Sequence, residues 1–332
     1  MRKLLAVVLF FSFLVAAALP AAANDRVIFT DWSWESVQVH NRIAGYILEK
    51  GFDREVHYAF SEEIPGVLGM ERGDFHIAME AWIDNAPGLF DKAMKGGDVV
   101  NLGRNFPDAP QGWYVPTYVI KGDPERGIEP LAPDLKSVKD LPKYWKVFQD
   151  PEQDHKGRLY NGPSGWNVSV VNEKKIKAYG LEDTYVAFYS GSASALATAI
   201  ASNYEKGNPV LAYYWEPTPI IGMYDMTKLE EPPYDPEVWD STGGCGFPTC
   251  RVQIIANRKF IEANPEIEAM LKRYETTLEQ TNAALAYMKK NEADVMKGAI
   301  WFLKNYPEEW KAWVADEEKI KKIEKALDKE TM

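Results

Sequence analysis

Cysteine is scarce in this chain of 332 residues: Cys245 and Cys250 are the only two, both within "GGCGFPTC". Histidine is nearly as sparse, and His40, His57, His76 and His155 are scattered along the length. A zinc site needs three or four closely spaced ligands, so neither residue type supplies a metal centre. In an oxidising compartment two cysteines this close are expected to form a disulfide across a tight loop. The loop-entropy model gives such a bond about 2 kcal/mol or less, because the closed loop is short.

Enzyme signatures are missing as well. There is no G-x-S-x-G elbow, no H-E-x-x-H, no Gly-rich phosphate loop and no G-x-G-x-x-G after a strand. The sequence therefore calls for no cofactor and points away from an enzyme. Positive charge is in deficit, with 38 Lys and Arg against 49 Asp and Glu, a net charge of −11. That balance argues against nucleic acid and anionic membrane surfaces as partners.

Only one long hydrophobic run is present, Leu4 to Ala18, preceded by Arg2 and Lys3 and followed by Pro20 and Ala21-Ala22-Ala23. It falls short of the roughly 20 residues of a membrane span. Its charged start and small-residue exit are those of a signal peptide over residues 1–23, cleaved near Ala23. No cysteine follows the run to take a lipid. The expectation is an exported, periplasmic protein.

What remains is a globular composition, 46% hydrophobic and 26% charged. "RVIFTD" reads as a buried strand, followed by a helix with Val39, Ile43, Tyr46 and Ile47 on one face and Gly51 at its end. "EVHYAF" and "FHIAMEAW" read as further strands with a helix between them, the βαβ rhythm of a mostly parallel sheet. After "GWYVPTYVI" a Pro-rich, charged stretch leads into a second α/β unit containing the helix "SASALATAIASNYEKG" and the strand "LAYYW". "RVQIIANRKF" resumes as a strand, and the tail is helical: one helix from Pro265 through Leu278, one from Asn291 and one from Pro307. The pattern predicts an α/β protein of two lobes, with residues 24–115 and 247–332 in the first and 116–246 inserted as the second. A ligand cleft would lie between them, at the carboxyl ends of the strands.

Aromatic rings concentrate at those ends. Trp34 follows the first strand, Trp82 ends the third, and Tyr114 stands at the first crossover. Trp166 follows a Gly-Pro-Ser-Gly turn, and Trp215 ends "LAYYW", where Pro217 stops the pairing. Trp32, Trp301, Trp310 and Trp313 read as packing residues. Rings lining a cleft suit a quaternary ammonium, which has no N–H to donate and is recognised through the ring quadrupole at up to about 2 kcal/mol per contact. The turn "GPSGWN" adds the free amides of a helix start at Asn167 and Val168, a ready seat for a carboxylate. Sugar stacking is the competing reading of the rings. Glu35, Glu80, Asp84 and Glu216 would then supply a glycosidase pair in a secreted carbohydrate-active enzyme.

Taken together, "TDWSWES", "GDFHIAMEAWIDN", "QGWYVPTYV", "GPSGWN", "LAYYWEPTP", "GFPTCRVQIIANRKF" and "ADVMKGAIWFLKNYPEEWKAWV" resemble the substrate-binding proteins of glycine betaine/proline betaine ABC transporters, with choline-binding members as near relatives. The resemblance implies a two-lobed periplasmic-binding fold of the second type and a membrane permease as partner. It implies that Trp82, Trp166 and Trp215 form the cage, that Trp34 and Tyr114 match aromatic positions of choline binders, and that the amides of Asn167 and Val168 hold a ligand carboxylate. It also implies glycine betaine or a related compound such as choline or carnitine as ligand. Two positions depart from the pattern: Ala86 stands where some betaine binders have a histidine, and Ser36 where choline binders have an aspartate.

Overall fold

The computed structural model describes residues 26–331, so the expected signal segment lies outside the described residues. The chain runs β1 (Arg26–Asp31), α1 (Glu35–Gly51), β2 (Glu55–Phe60), α2 (Glu63–Arg72), β3 (Ile77–Trp82), α3 (Pro87–Gly96), β4 (Val99–Ala109) and β5 (Gln111–Pro116). It continues through α4 (Thr117–Lys121), β6 (Gly157–Asn161), α5 (Asn167–Ala178), β7 (Tyr185–Tyr189), α6 (Ala193–Glu205), β8 (Leu211–Trp215), α7 (Pro219–Met223), β9 (Met226–Lys228) and α8 (Pro236–Ser241). Then come β10 (Cys250–Asn257), α9 (Arg258–Ala263), α10 (Pro265–Arg273), α11 (Leu278–Asn291), α12 (Val295–Asn305), α13 (Pro307–Val314) and α14 (Glu317–Leu327).

Two five-stranded sheets result, ordered β2-β1-β3-β10-β4 and β7-β6-β8-β5-β9. In the first, β1 pairs parallel with β2 and β3, while β10 returns antiparallel between β3 and β4. In the second, β6 pairs parallel with β7 and β8, and β5 runs antiparallel to β8 and β9. This is the two-lobed α/β architecture. The first crossover comes earlier than residue 115, however: β5 already belongs to the second sheet, so the chain changes lobe at Pro110. Hydrophobicity alone does not reveal which sheet a strand joins, because β5 is buried throughout.

Helix α1 buries Val39, Ile43, Tyr46 and Ile47 as its period requires. They pack with Phe29, Ile254, Phe302 and Trp310 into a core shared by the first sheet and the tail helices. A second core starts on the other side of that sheet and runs into the second lobe, joining Val37, Met70 and Val252 to Leu159, Leu196 and Leu211. The tail helix expected to reach Leu278 stops at Arg273, because Tyr274 takes an extended conformation. The chain restarts at a capping box, in which Thr277 Oγ1 accepts from the Gln280 amide at 3.1 Å and Gln280 Oε1 accepts from the Thr277 amide at 3.0 Å. Trp301 is half-buried and stacks on Tyr287, whereas Trp310 and Trp313 are buried.

The expected disulfide is not formed: Cys245 and Cys250 are both free and buried. Cys245 packs with Val171 and Trp239 in a small cluster of the second lobe. Cys250 opens β10 opposite Ala109 and belongs to the large core. The intervening residues cross from one lobe toward the other, so sequence proximity does not bring the two sulfurs into one packing cluster.

Candidate functional site

Four tryptophans delivered by four different segments meet where the lobes face each other. Trp34 precedes α1, Trp82 ends β3, Trp166 precedes α5 and Trp215 ends β8. Each sits at or just beyond the carboxyl end of a parallel strand or at the helix start that follows one, the position where an α/β sheet opens toward a ligand. Trp166 is the hub, meeting Trp34 edge-on at 5.4 Å and 85° and Trp215 edge-on at 5.1 Å and 82°. Trp215 in turn stacks on Tyr213 at 5.9 Å. Together with Glu63, Asn85 and Val168 these rings line one small cavity. A wider cleft adjoins it, sharing Trp34 and Trp215 and running past Glu35, Thr198 and Lys289.

The indole N–H groups are turned away from ligand duty by carboxylates behind them. Glu80 Oε1 accepts from Trp34 Nε1 at 2.7 Å, from Trp82 Nε1 at 3.0 Å and from Ser36 Oγ at 2.9 Å. Glu62 Oε2 accepts from Trp166 Nε1 at 2.7 Å and from Ser33 Oγ at 2.9 Å. Fixed in this way, three rings offer their π surfaces and no donor. Where it is ionised, a carboxylate acceptor on the N–H also draws charge toward the ring, which strengthens its pull on a cation. Burial pushes the Glu80 carboxyl up to about 7 against its three donors, and its second oxygen has no hydrogen-bond partner. No Lys, Arg or His is among the described residues lining the cavity.

The rim of the cage is also the clasp between lobes. At the start of α2, Glu62, Glu63 and Ile64 meet the turn Gly165-Trp166-Asn167. The Ile64 amide donates to the Gly165 carbonyl at 3.1 Å, and the Asn167 amide donates to Glu63 Oε2 at 3.0 Å. A Cβ on Gly165 would stand 2.4 Å from the Glu62 Cβ, so the close approach requires glycine there. Trp166, the N-cap of α5, has no oxygen to satisfy the helix's first amides. Glu63 from the other lobe accepts from one of them, the Asn167 amide, instead. Asn167 Nδ2 completes the clasp by donating to the Asn85 carbonyl at 2.7 Å.

The sequence expectations divide accordingly. Trp34, Trp82, Trp166, Trp215 and Val168 come together. Asn167 is adjacent, but its amide is taken by Glu63 and is not open to a ligand carboxylate. Tyr114 does not reach the cage. It pairs with Ala212, whereas Trp215 pairs with Gln111 and Tyr213 with Trp113. Cross-strand partners share a face and successive residues alternate, so Tyr114 points to the opposite side of the sheet. Tyr213 takes the aromatic place on the cage side, its hydroxyl donating to Gln111 Oε1 at 2.9 Å. Glu80 and Glu216 do not form a catalytic pair: Glu80 is wholly buried behind the rings, and Glu216 lines a separate surface with Asn282 and Lys290. Sequence reasoning missed Glu62 and Glu63, whose "SEE" looks like any solvated helix start. A charge inside the apolar strand "IAMEAW" was the available signal for Glu80.

Comparison with known proteins places the chain in a family. A trimethylamine N-oxide-binding protein of Pelagibacter ubique is 24% identical over 309 residues, covering 92% of both chains. A glycine betaine/proline betaine-binding periplasmic protein of Escherichia coli is 26% identical over 265 residues, covering 75% of this chain and 77% of that one. Among solved structures, an ABC-transporter choline-binding protein in complex with choline superposes with a TM-score of 0.76 at 16% identity, covering 92% of this chain and 98% of the other. Residues 25–305 match the family model of the substrate binding domain of the ABC-type glycine betaine transport system, and the chain belongs to that family of transport proteins.

Proposed function

We propose that the protein captures a small methylated ammonium compound, glycine betaine or a related quaternary ammonium, in the four-tryptophan cage. It then presents the ligand to the membrane permease of an ABC importer. The observation that carries this reading is the cage itself: three indole N–H groups are occupied by Glu62 and Glu80, and no basic side chain is among the described residues lining the space. Such a site recognises a cation that cannot donate hydrogen bonds. Three or four ring contacts at up to about 2 kcal/mol each give about 6–8 kcal/mol, the micromolar range before the costs of desolvation and closure. The binding of relatives named for trimethylamine N-oxide, glycine betaine and choline supports the class.

Because the rings come from both lobes, ligand binding favours the closed state over the open one, a population shift that marks loaded receptor for the permease. Export with cleavage of residues 1–23 fits the periplasmic naming of the relatives. The test is tryptophan fluorescence of the mature protein titrated with trimethylamine N-oxide, choline, glycine betaine, carnitine, proline and a disaccharide. At least one trimethylammonium compound is expected to produce a saturable change at micromolar concentration. A response to the disaccharide or proline alone would overturn the assignment.

A further inference from the structure

Helix α5 begins beside the cage with a tryptophan as its N-cap, and one of the two amides expected to meet a ligand's anionic end, that of Asn167, is already bonded to Glu63. Glu63 is 4% exposed, lines the same cavity as the four tryptophans and belongs to the opposite lobe. One bridge between the lobes at the start of α5 is thus made by the protein itself. A second carboxylate placed there would lie beside Glu63 and near Glu62 with no cation among the described lining residues, and like charges at close range resist joint ionisation. We propose that Glu63 is the specificity-determining residue of the site, selecting a trimethylammonium whose polar end is one oxygen, N-oxide or hydroxyl, and rejecting those that carry a carboxylate. This rests on the aromatic-cage reading and narrows it.

The protonation of Glu63 decides how the oxygen is met. Burial, opposed by the Asn167 amide and reinforced by the Glu62 charge, moves its carboxyl up to about 7. The other titratable groups that feel it are Tyr213 on β8 and Cys250 on β10, both themselves raised chiefly by burial. Neither is ionised near neutrality, so the acidic neighbour among these is Glu62, itself raised by burial against the Ser33 and Trp166 donors. Protonated Glu63 donates to an N-oxide oxygen, which has no hydrogen to give. Ionised Glu63 accepts from a hydroxyl and attracts the cation.

Calorimetry on the mature protein with trimethylamine N-oxide, choline and glycine betaine tests the proposal, with Glu63→Gln as the variant. Glutamine keeps an acceptor for the Asn167 amide and removes the charge. In the wild type, glycine betaine is expected to bind at least tenfold more weakly than the better of the other two. In Glu63→Gln that gap should shrink below threefold. Between pH 6 and 8, N-oxide affinity should fall as Glu63 ionises, while choline affinity should rise, so the sign of the slope tells the two sources apart. Glycine betaine binding as tightly as either of the others in the wild type overturns the proposal yet leaves the cage intact. A ratio unchanged by Glu63→Gln overturns it too. No binding of any of the three sinks the cage reading itself. If the variant fails to fold, the wild-type ratio decides.

Discussion

Replacing Glu80 tests whether the cage works because its rings are held. One carboxylate oxygen accepts from Trp34, Trp82 and Ser36. In Glu80→Leu both indole N–H groups lose a buried acceptor, at a cost of about 1–3 kcal/mol for each unsatisfied donor. The stability change is partly offset because the buried carboxyl, with one oxygen unpartnered, also disappears. The binding change has no such offset. If the two freed rings each forfeit about 1–2 kcal/mol of cation contact, the loss of about 2–4 kcal/mol corresponds to a drop in affinity of about 30- to 700-fold. Glu80→Gln retains a carbonyl oxygen for the donors, though a neutral acceptor gives weaker bonds, and should lose less than tenfold. Calorimetry with whichever trimethylammonium binds the wild type measures affinity, and thermal melting measures the fold. Glu80→Leu that stays folded and binds within threefold of wild type would refute the orienting role.

Trp215→Ala should weaken ligand binding at least tenfold, the value of about one ring contact, and should also lower the melting temperature, since Trp215 is only 5% exposed. Trp310→Ala is the control: its indole donates to the Leu303 carbonyl in the tail core, so it should cost about 3–5 kcal/mol of stability while the folded fraction keeps its affinity by calorimetry. The pH dependence of stability has a worked sign. Glu63 and Glu80, raised from 4.5 to about 7, contribute stability that is full below pH 4.5 and lost as pH rises toward 7. His40 and His76, lowered by burial from 6.5 to about 3 and about 4, contribute stability that is full above pH 6.5 and lost on acidification. The two pairs oppose each other between pH 4.5 and 6.5 and leave a plateau there, with a fall below it where only the histidines act. Melting temperatures that climb steadily from pH 4.5 to 8 in ligand-free protein would show these four groups do not govern the profile.

Much of the cage was readable because its chemistry is local. Trp82 and Trp215 end strands that their own alternation and flanking residues define, and Trp34 and Trp166 precede helices whose periods are plain. Tyr114 was misplaced because its direction depends on register with a strand about a hundred residues later: pairing with Ala212 turns it away from Trp215. Cys245 and Cys250 were misread because nearness in sequence says nothing of the two packing clusters that separate them. The same limit hid the clasp, since nothing in "SEEIPG" announces that Glu62 will hold Trp166 or that Glu63 will cap α5.

The sequence by itself determined the two α/β lobes, the positions of the four tryptophans and the absence of enzyme motifs, all properties of short windows and composition. The tertiary structure decided which sheet β5 joins, which carboxylates stand behind the indoles, and that Glu63 takes the Asn167 amide. Those are matters of partner choice between residues 104 positions apart in the case of Trp166 and Glu62, and of Asn167 and Glu63. Only the closing of one lobe on the other brings such partners within hydrogen-bonding range.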